Sequence, residues 1–328
     1  MKRFVTLSLG LLLMADLAYA CDICAIYASL SAREFRRGGY VSFYQQYTRF
    51  GTLREDGVKI ENDEDQYLRS AITQVALGYQ FRQRLGVQVN ASFINRAFQR
   101  PEDEALVSGS ERGLGDVAVT GHYRMVQRFR PASAFIWNVY GGVKLPTGSS
   151  NLLAEEEHGE EHHEGETLNG KGVTVLHGGE SGVHDHDLAL GSGSVDGLLG
   201  TSGMVVRNRF FTGVNLQYAL RTEGDHDYRY ANDLSWSFSP GYYAFLRHNQ
   251  SLSVGAMLSG EIKGEDTHHG EKADDTAITA VYLGPHLTYS HHETLHAELA
   301  VEVPLTQDNS ALQIVPDTRL RLAVTRRF

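Results

Sequence analysis

Residues 295–305 read LHAELAVEVPL. Leu295, Ala297, Leu299, Val301, Val303 and Leu305 fall on one side of a period of two, and His296, Glu298, Ala300, Glu302 and Pro304 on the other. Side chains of an extended strand point alternately to opposite faces, so this segment reads as a strand with one apolar and one polar face. The same alternation recurs at 252–262 and at 212–221, where Val214, Leu216, Tyr218 and Leu220 alternate with Asn215, Gln217, Ala219 and Arg221. Further strand-like segments lie near 39–50, 67–81, 85–97, 113–127, 134–145, 195–207, 228–244, 277–289 and 318–328.

Two classes of sheet show this alternation, and the connections separate them. A soluble sandwich turns its apolar faces inward and has turns of similar length at both ends. A membrane barrel turns them to lipid, with short periplasmic turns and longer external loops. Here short connections near 82–84, 128–133, 207–209, 247–250 and 291–294 interleave with longer ones near 51–66, 98–112, 146–194, 222–227, 264–276 and 306–314. The expected fold is therefore all-β: a transmembrane antiparallel up-and-down β-barrel of about twelve strands, spanning 39–328. A strand tilted by about 45° needs only about 9–11 residues to cross a bilayer.

The N-terminus supports export. MKRFVTLSLGLLLMADLAYA (1–20) has basic Lys2 and Arg3, an apolar stretch from Val5 to Met14, and closes on Ala18-Tyr19-Ala20, the pattern of a secretory signal peptide. A lipoprotein reading would use Cys21, but Ala18 and Tyr19 depart from the residues it wants. Residues 21–38 are expected to be a periplasmic segment carrying Cys21 and Cys24. At the other end TRLRLAVTRRF alternates and finishes on Phe328. It resembles the terminal signature by which bacterial outer-membrane barrels are recognised, so the expected partners are outer-membrane lipid and the barrel-insertion machinery.

Three phrases recur together in a known family: GLGDVAVTGHYR (113–124), GGVKLPTGSS (141–150) and LGSGSVDGLLG (190–200). They resemble the outer-membrane transporter family typified by the MetA-pathway phenol-degradation proteins. The resemblance covers about 70–328 and implies a bacterial outer-membrane barrel that passes small solutes. It supplies no list of functional residues. This chain departs from the pattern in its acidic, His-rich insert and in the CDIC of residues 21–24.

The net charge of −10 is concentrated: between Glu155 and Asp187 stand ten acidic residues and one lysine. The remainder is close to neutral, which argues against a nucleic-acid partner. The run EEEHGEEHHEGE (155–166) cannot bury itself, so it is expected in the external loop 146–194, facing the medium. His158, His162, His163, His177, His184, His186, His268 and His269 lie in outer loops with carboxylates around them, as does His226. Imidazole with carboxylate is a ligand set for zinc, copper or nickel. The competing reading is a solvated acidic loop that binds nothing specific. Cys21 and Cys24 admit an oxidised pair, capture of a soft metal, or contact with a periplasmic partner.

By parity His122, Arg124, Lys144, Arg221, Asp233, Glu261, His286, Glu298, Glu302, Arg319 and Arg321 should line the lumen. Both signs are present, which favours bracing ladders over a selectivity filter. No Gly-x-Ser-x-Gly or other nucleophile motif occurs, so no enzyme is expected. Two functions follow. One is a channel for small solutes, with divalent metal ions gathered by the Glu/His loops as candidate solutes. The other is a non-conducting barrel that binds metal, or a partner, through its loops and the CxxC pair.

Overall fold

The computed structural model describes residues 37–102, 105–130, 132–154, 181–247, 250–292 and 294–328. Twelve long strands cross the molecule among them. They are β1 (Gly38–Glu55), β2 (Tyr67–Gln80), β3 (Leu85–Glu102), β4 (Val117–Arg130), β5 (Ser133–Leu145) and β6 (Asp196–Arg207). The second half comprises β7 (Phe210–Leu220), β8 (Asp233–Arg247), β9 (Gln250–Lys263), β10 (Ile278–His291), β11 (Leu295–Asn309) and β12 (Leu312–Arg327). Each pairs antiparallel with the next, and β12 pairs with β1 from Tyr40↔Arg327 to Glu55↔Leu312. The sheet is thus a closed barrel with no free edge to template aggregation.

The alternation read from the sequence sorts the two faces. Val75, Leu77, Val89, Phe93, Leu199, Val214, Leu216, Val254, Leu287, Leu299, Val301, Leu320 and Leu322 are exposed on the outside. Ser42, Gln46, Gln74, Gln88, Asn90, Thr120, Asn138, Gln217, Ser235 and Ser253 are buried inside. An exposed apolar band of this extent is untenable in water and is satisfied by acyl chains. Tyr79, Phe81, Phe129, Phe135, Phe210, Tyr242 and Tyr289 lie near the short-turn end as an aromatic girdle. Both ends of the barrel sheet, Gly38 and Arg327, share that end, which the rule of short periplasmic turns makes the inner one.

Aromatic rings laid over glycines close several gaps in the wall. Tyr40 sits directly opposite Gly78, Tyr140 opposite Gly200, Phe211 opposite Gly241 and Trp236 opposite Gly260. The Tyr40 ring crosses Gly78 and its hydroxyl donates to Gln88 Oε1 on the strand beyond, at 2.5 Å. Tyr140 likewise crosses Gly200 to reach Gln217 at 3.2 Å. A methyl group at Gly78 would overlap the Tyr40 ring. Gly78→Ala is therefore expected to cost about 1–3 kcal/mol, the usual range for overpacking. Gly121→Ala, whose new Cβ would meet only the Gly141 oxygen at 3.8 Å, is the control. Urea midpoints of the two variants in lipid vesicles measure the difference; equal midpoints would contradict the packing role.

Four boundaries differ from the sequence reading. The segment expected at 113–127 begins at Val117, because Ala105–Leu114 instead forms a hairpin arm on β3 that extends the wall outward. The chain returns to the barrel at Gly115, whose N–H donates to the Ser92 carbonyl at 2.9 Å. The strand expected at 228–244 begins at Asp233, since Tyr228–Arg229 joins Asp266–His268 in a small outer ribbon. The long connection expected at 306–314 is a two-residue turn, Ser310–Ala311, because β11 and β12 run on past it. The fourth concerns the loop 146–194, whose C-terminal part does not face the medium but folds into the mouth.

Candidate functional site

Residues 181–194 turn inward across the outer mouth. The Gly182 carbonyl accepts from Ile314 N–H at 2.8 Å and the Gly182 N–H donates to Gln66 Oε1 at 2.9 Å. Val183 and Leu188 then pack with Leu53, Leu68, Phe98 and Ile314. Arg100 pairs with Asp185 at 2.9 Å, and Arg96 donates to the Ala189 carbonyl at 2.7 Å. Leu190 clusters with Tyr44, Ile72, Ile94 and Ala323. Ile72 and Ile94 stand four residues further down their strands than Leu68 and Phe98, about 13 Å of strand rise. The apolar residues of an otherwise acidic loop thus find a core inside the barrel.

The far end of this segment is tied to a buried charge cluster built from the three family-like motifs. Asp116, from GLGD, accepts from Lys144 Nζ at 2.5 Å, from Gly148 N–H at 3.0 Å, and from Ser192 N–H and Oγ–H at 3.2 and 3.1 Å. Lys144 also pairs with Asp196 at 2.9 Å, and Ser194 Oγ donates to Asp196 at 2.9 Å. Arg221 bridges Asp196 at 2.9 Å and Asp233 at 2.6 Å. Gly148 and Gly191 let the two halves of the loop touch backbone to backbone; a Cβ on Gly191 would lie 2.5 Å from the Gly148 carbonyl carbon. Strand parity alone does not point to Asp116, Ser192, Ser194 and Asp196. Their signal is the glycine-flanked Asp and Ser of the recurring motifs.

Between the segment and the wall lies a cavity of about 160 Å³. Phe50, Leu68, Leu190, Ile278, Ile314 and Pro316 give it apolar surface. Arg96, Lys144, Arg221, Lys263 and Arg319 line it with Asp116, Asp187 and Glu261, and behind them Asp196, Asp233 and Asp266 pair with Lys144, Arg221 and Lys263.

The charged residues that parity assigns to the lumen lie as follows. His122, Arg124, Lys144, Arg221, Asp233, Glu261, His286, Glu302, Arg319 and Arg321 are buried, and Glu298 is half-buried on the same face. They pair rather than stand alone. Arg319 contacts Glu261 and lies 3.9 Å over the Tyr282 ring, while Arg321 Nε is 3.0 Å from Glu302. His122 meets Thr120 at 2.9 Å and stacks on Tyr140. His296 Nε2 stands 3.4 Å from Glu298. These contacts join side chains of different strands and of the same strand across the interior face.

The proposed metal-binding residues separate into groups. His184 and His186 belong to the inward segment, not to a solvated loop, and His186 is buried because its ring stacks on Tyr228. Asp275 joins them from the connection between β9 and β10. His268 is buried beside Tyr228, and the more exposed His269 faces Asp227 at 3.4 Å. His158, His162, His163, His177, Cys21 and Cys24 lie outside the described residues.

A closed twelve-stranded barrel with a lipid-facing apolar band and a polar interior is a bacterial outer-membrane β-barrel. Among solved structures, the chain resembles an outer membrane channel from Pseudomonas putida F1, at a TM-score of 0.55 and 16% identity over 90% of this chain and 97% of that one. Looser matches are the translocator domain of the autotransporter NalP from Neisseria meningitidis (TM-score 0.42, 10% identity, 93% of each chain) and a FadL homologue from Pseudomonas aeruginosa (0.36, 8%, 96% and 99%). No protein-family profile matches the sequence, and no curated relative does. The motif resemblance and the first of these folds agree on an outer-membrane β-barrel.

Proposed function

We propose that the protein is an outer-membrane channel for small solutes, and that the mouth favours a ring-sized molecule bearing an anionic or polar group. The observation that carries this reading is the cavity under the inward segment, with one greasy wall and one wall of charged and hydrogen-bonding side chains. Its volume, about 160 Å³, is close to that of a cavity of about 150 Å³ that admits benzene in another protein. Arg96, which meets the Ala189 carbonyl and not a carboxylate, would attract an anionic or polar group, and Phe50, Leu68 and Ile314 would cover the ring. Divalent cations gathered by the Glu/His loops belong to the same class of small solutes on loop composition alone. The exposed terminal Phe328 suits recognition by the insertion machinery.

Purified protein in planar bilayers and in swelling liposomes tests the channel. Benzoate is expected to enter faster than a disaccharide. Absence of channels under every ionic condition would remove the transport reading. It would favour the non-conducting binding barrel, which has in its support the hydrogen-bonded side chains that crowd the lumen, such as Tyr40, Gln88 and Asn90.

A further inference from the structure

The stretch VHDHDL (183–188) winds into a single helical turn, Asp185–Leu188, with His184 as its N-cap. That turn puts the imidazoles of His184 and His186 side by side, with centroids 5.3 Å apart and planes 12° from parallel. The Asp275 carboxylate reaches in from a separate connection, 3.3 Å from His184 Nε2. One donor atom each from His184, His186 and Asp275 fits within a sphere of mutual distances no greater than 4.8 Å. Asp187 completes the group: Oδ1 is 3.6 Å from His186 Nε2, and Oδ2 is 3.9 Å from His184 Nδ1 while it accepts the His184 backbone N–H at 3.2 Å.

We propose that His184, His186 and Asp275 bind one divalent transition-metal ion of the zinc class, with Asp187 as fourth donor or as the group that orients the imidazoles. Tetrahedral zinc with bonds of about 2.0–2.2 Å holds its ligands about 3.4 Å apart. The observed spacing is within a side-chain adjustment of that. Two carboxylates neutralise a dication, and nitrogen-rich donors with carboxylate select zinc, nickel or copper over magnesium or calcium. The ring of His186 is held by Tyr228, whose centroid lies 6.3 Å away, and the turn itself is anchored by buried Leu188. The ligands are therefore positioned by packing instead of dangling in the acidic run. Because Asp275 belongs to the β9–β10 connection and the histidines to the inward segment, the ion would clamp that segment to the connection. The site stands whether or not the lumen conducts.

Titration calorimetry of the full chain in detergent, with zinc alone as probe, tests the assignment. One site per chain is expected. It should weaken at least about tenfold in His184→Ala/His186→Ala and in Asp275→Asn, as loss of a metal's coordinating or supporting groups does. It should persist when residues 155–177 are deleted, and calcium should not compete. Cobalt in place of zinc should give the intense visible bands of a tetrahedral site, lost in Asp275→Asn. Heat-modifiable gel mobility establishes that each variant is folded; Asp275 lies on a turn, so its substitution leaves the barrel intact. Zinc binding unchanged by both substitutions, binding abolished only by the 155–177 deletion, or equal affinity for calcium would each overturn the proposal.

Discussion

Asp116→Ala is expected to loosen the inward segment from the barrel wall and to raise single-channel conductance. The Asp116 carboxylate accepts from the Ser192 N–H, the Ser192 hydroxyl, the Gly148 N–H and Lys144, so a single side chain gathers both halves of the long loop. Hydrogen bonds to a charged group contribute about 1.5–3 kcal/mol each, so a loss of even about 3 kcal/mol shifts the balance between seated and released segment by roughly a hundredfold. Lys144 keeps Asp196 as a partner at 2.9 Å, which spares the wall from an unpaired charge. Arg96 and Arg100 still hold the first half of the segment through Ala189 and Asp185. The segment should therefore swing at its 190–194 end, seen as longer and noisier open events. Conductance identical to the parent protein, with the variant folded, would mean that this end of the segment does not limit passage.

The barrel was legible in the sequence, and the contents of its mouth were not. Lipid outside and polar side chains inside force a period of two on every crossing strand. LHAELAVEVPL at 295–305 could therefore be read directly, and Glu298, Glu302, Arg319 and Arg321 could be assigned to the lumen by counting. No period governs a loop. Val183, Leu188, Ala189 and Leu190 are the apolar residues that draw residues 181–194 into the barrel, but in the sequence they are interrupted by His184, Asp185, His186 and Asp187 and read as part of a charged run. Asp116, Ser192 and Asp196 were visible as motif residues at strand–loop junctions. Their meeting at one point depends on the close approach of Gly148 and Gly191, which is a tertiary fact. Asp275, the partner of His184, lies far along the chain on another connection, and no spacing rule links them.

Glu302→Ala is expected to destabilise the barrel by about 3–5 kcal/mol, the cost of removing one partner from a buried ion pair. Glu302 is fully buried on β11, directly opposite Arg319 on β12, and its other oxygen accepts from Ser259 at 2.5 Å. Its nearest cation is Arg321, also buried, at 3.0 Å. Without Glu302 the neighbourhood holds Arg319 and Arg321 against Glu261 alone, and a buried guanidinium is left with too little negative charge to offset its lost hydration. If the cost is the stranded charge and not the missing volume, a second change that removes the arginine should relieve it. Glu302→Ala/Arg321→Met should therefore be more stable than Glu302→Ala by about 1–4 kcal/mol, since apolar replacements of buried pairs are often neutral or favourable. Trp137 and Trp236, on the lipid-facing side of β5 and β8, report unfolding by fluorescence in urea with the protein in vesicles. Strictly additive effects of the two substitutions would show that the pair does not brace the lumen, and that the barrel owes its stability to the wall hydrogen bonds and the lipid-facing band alone.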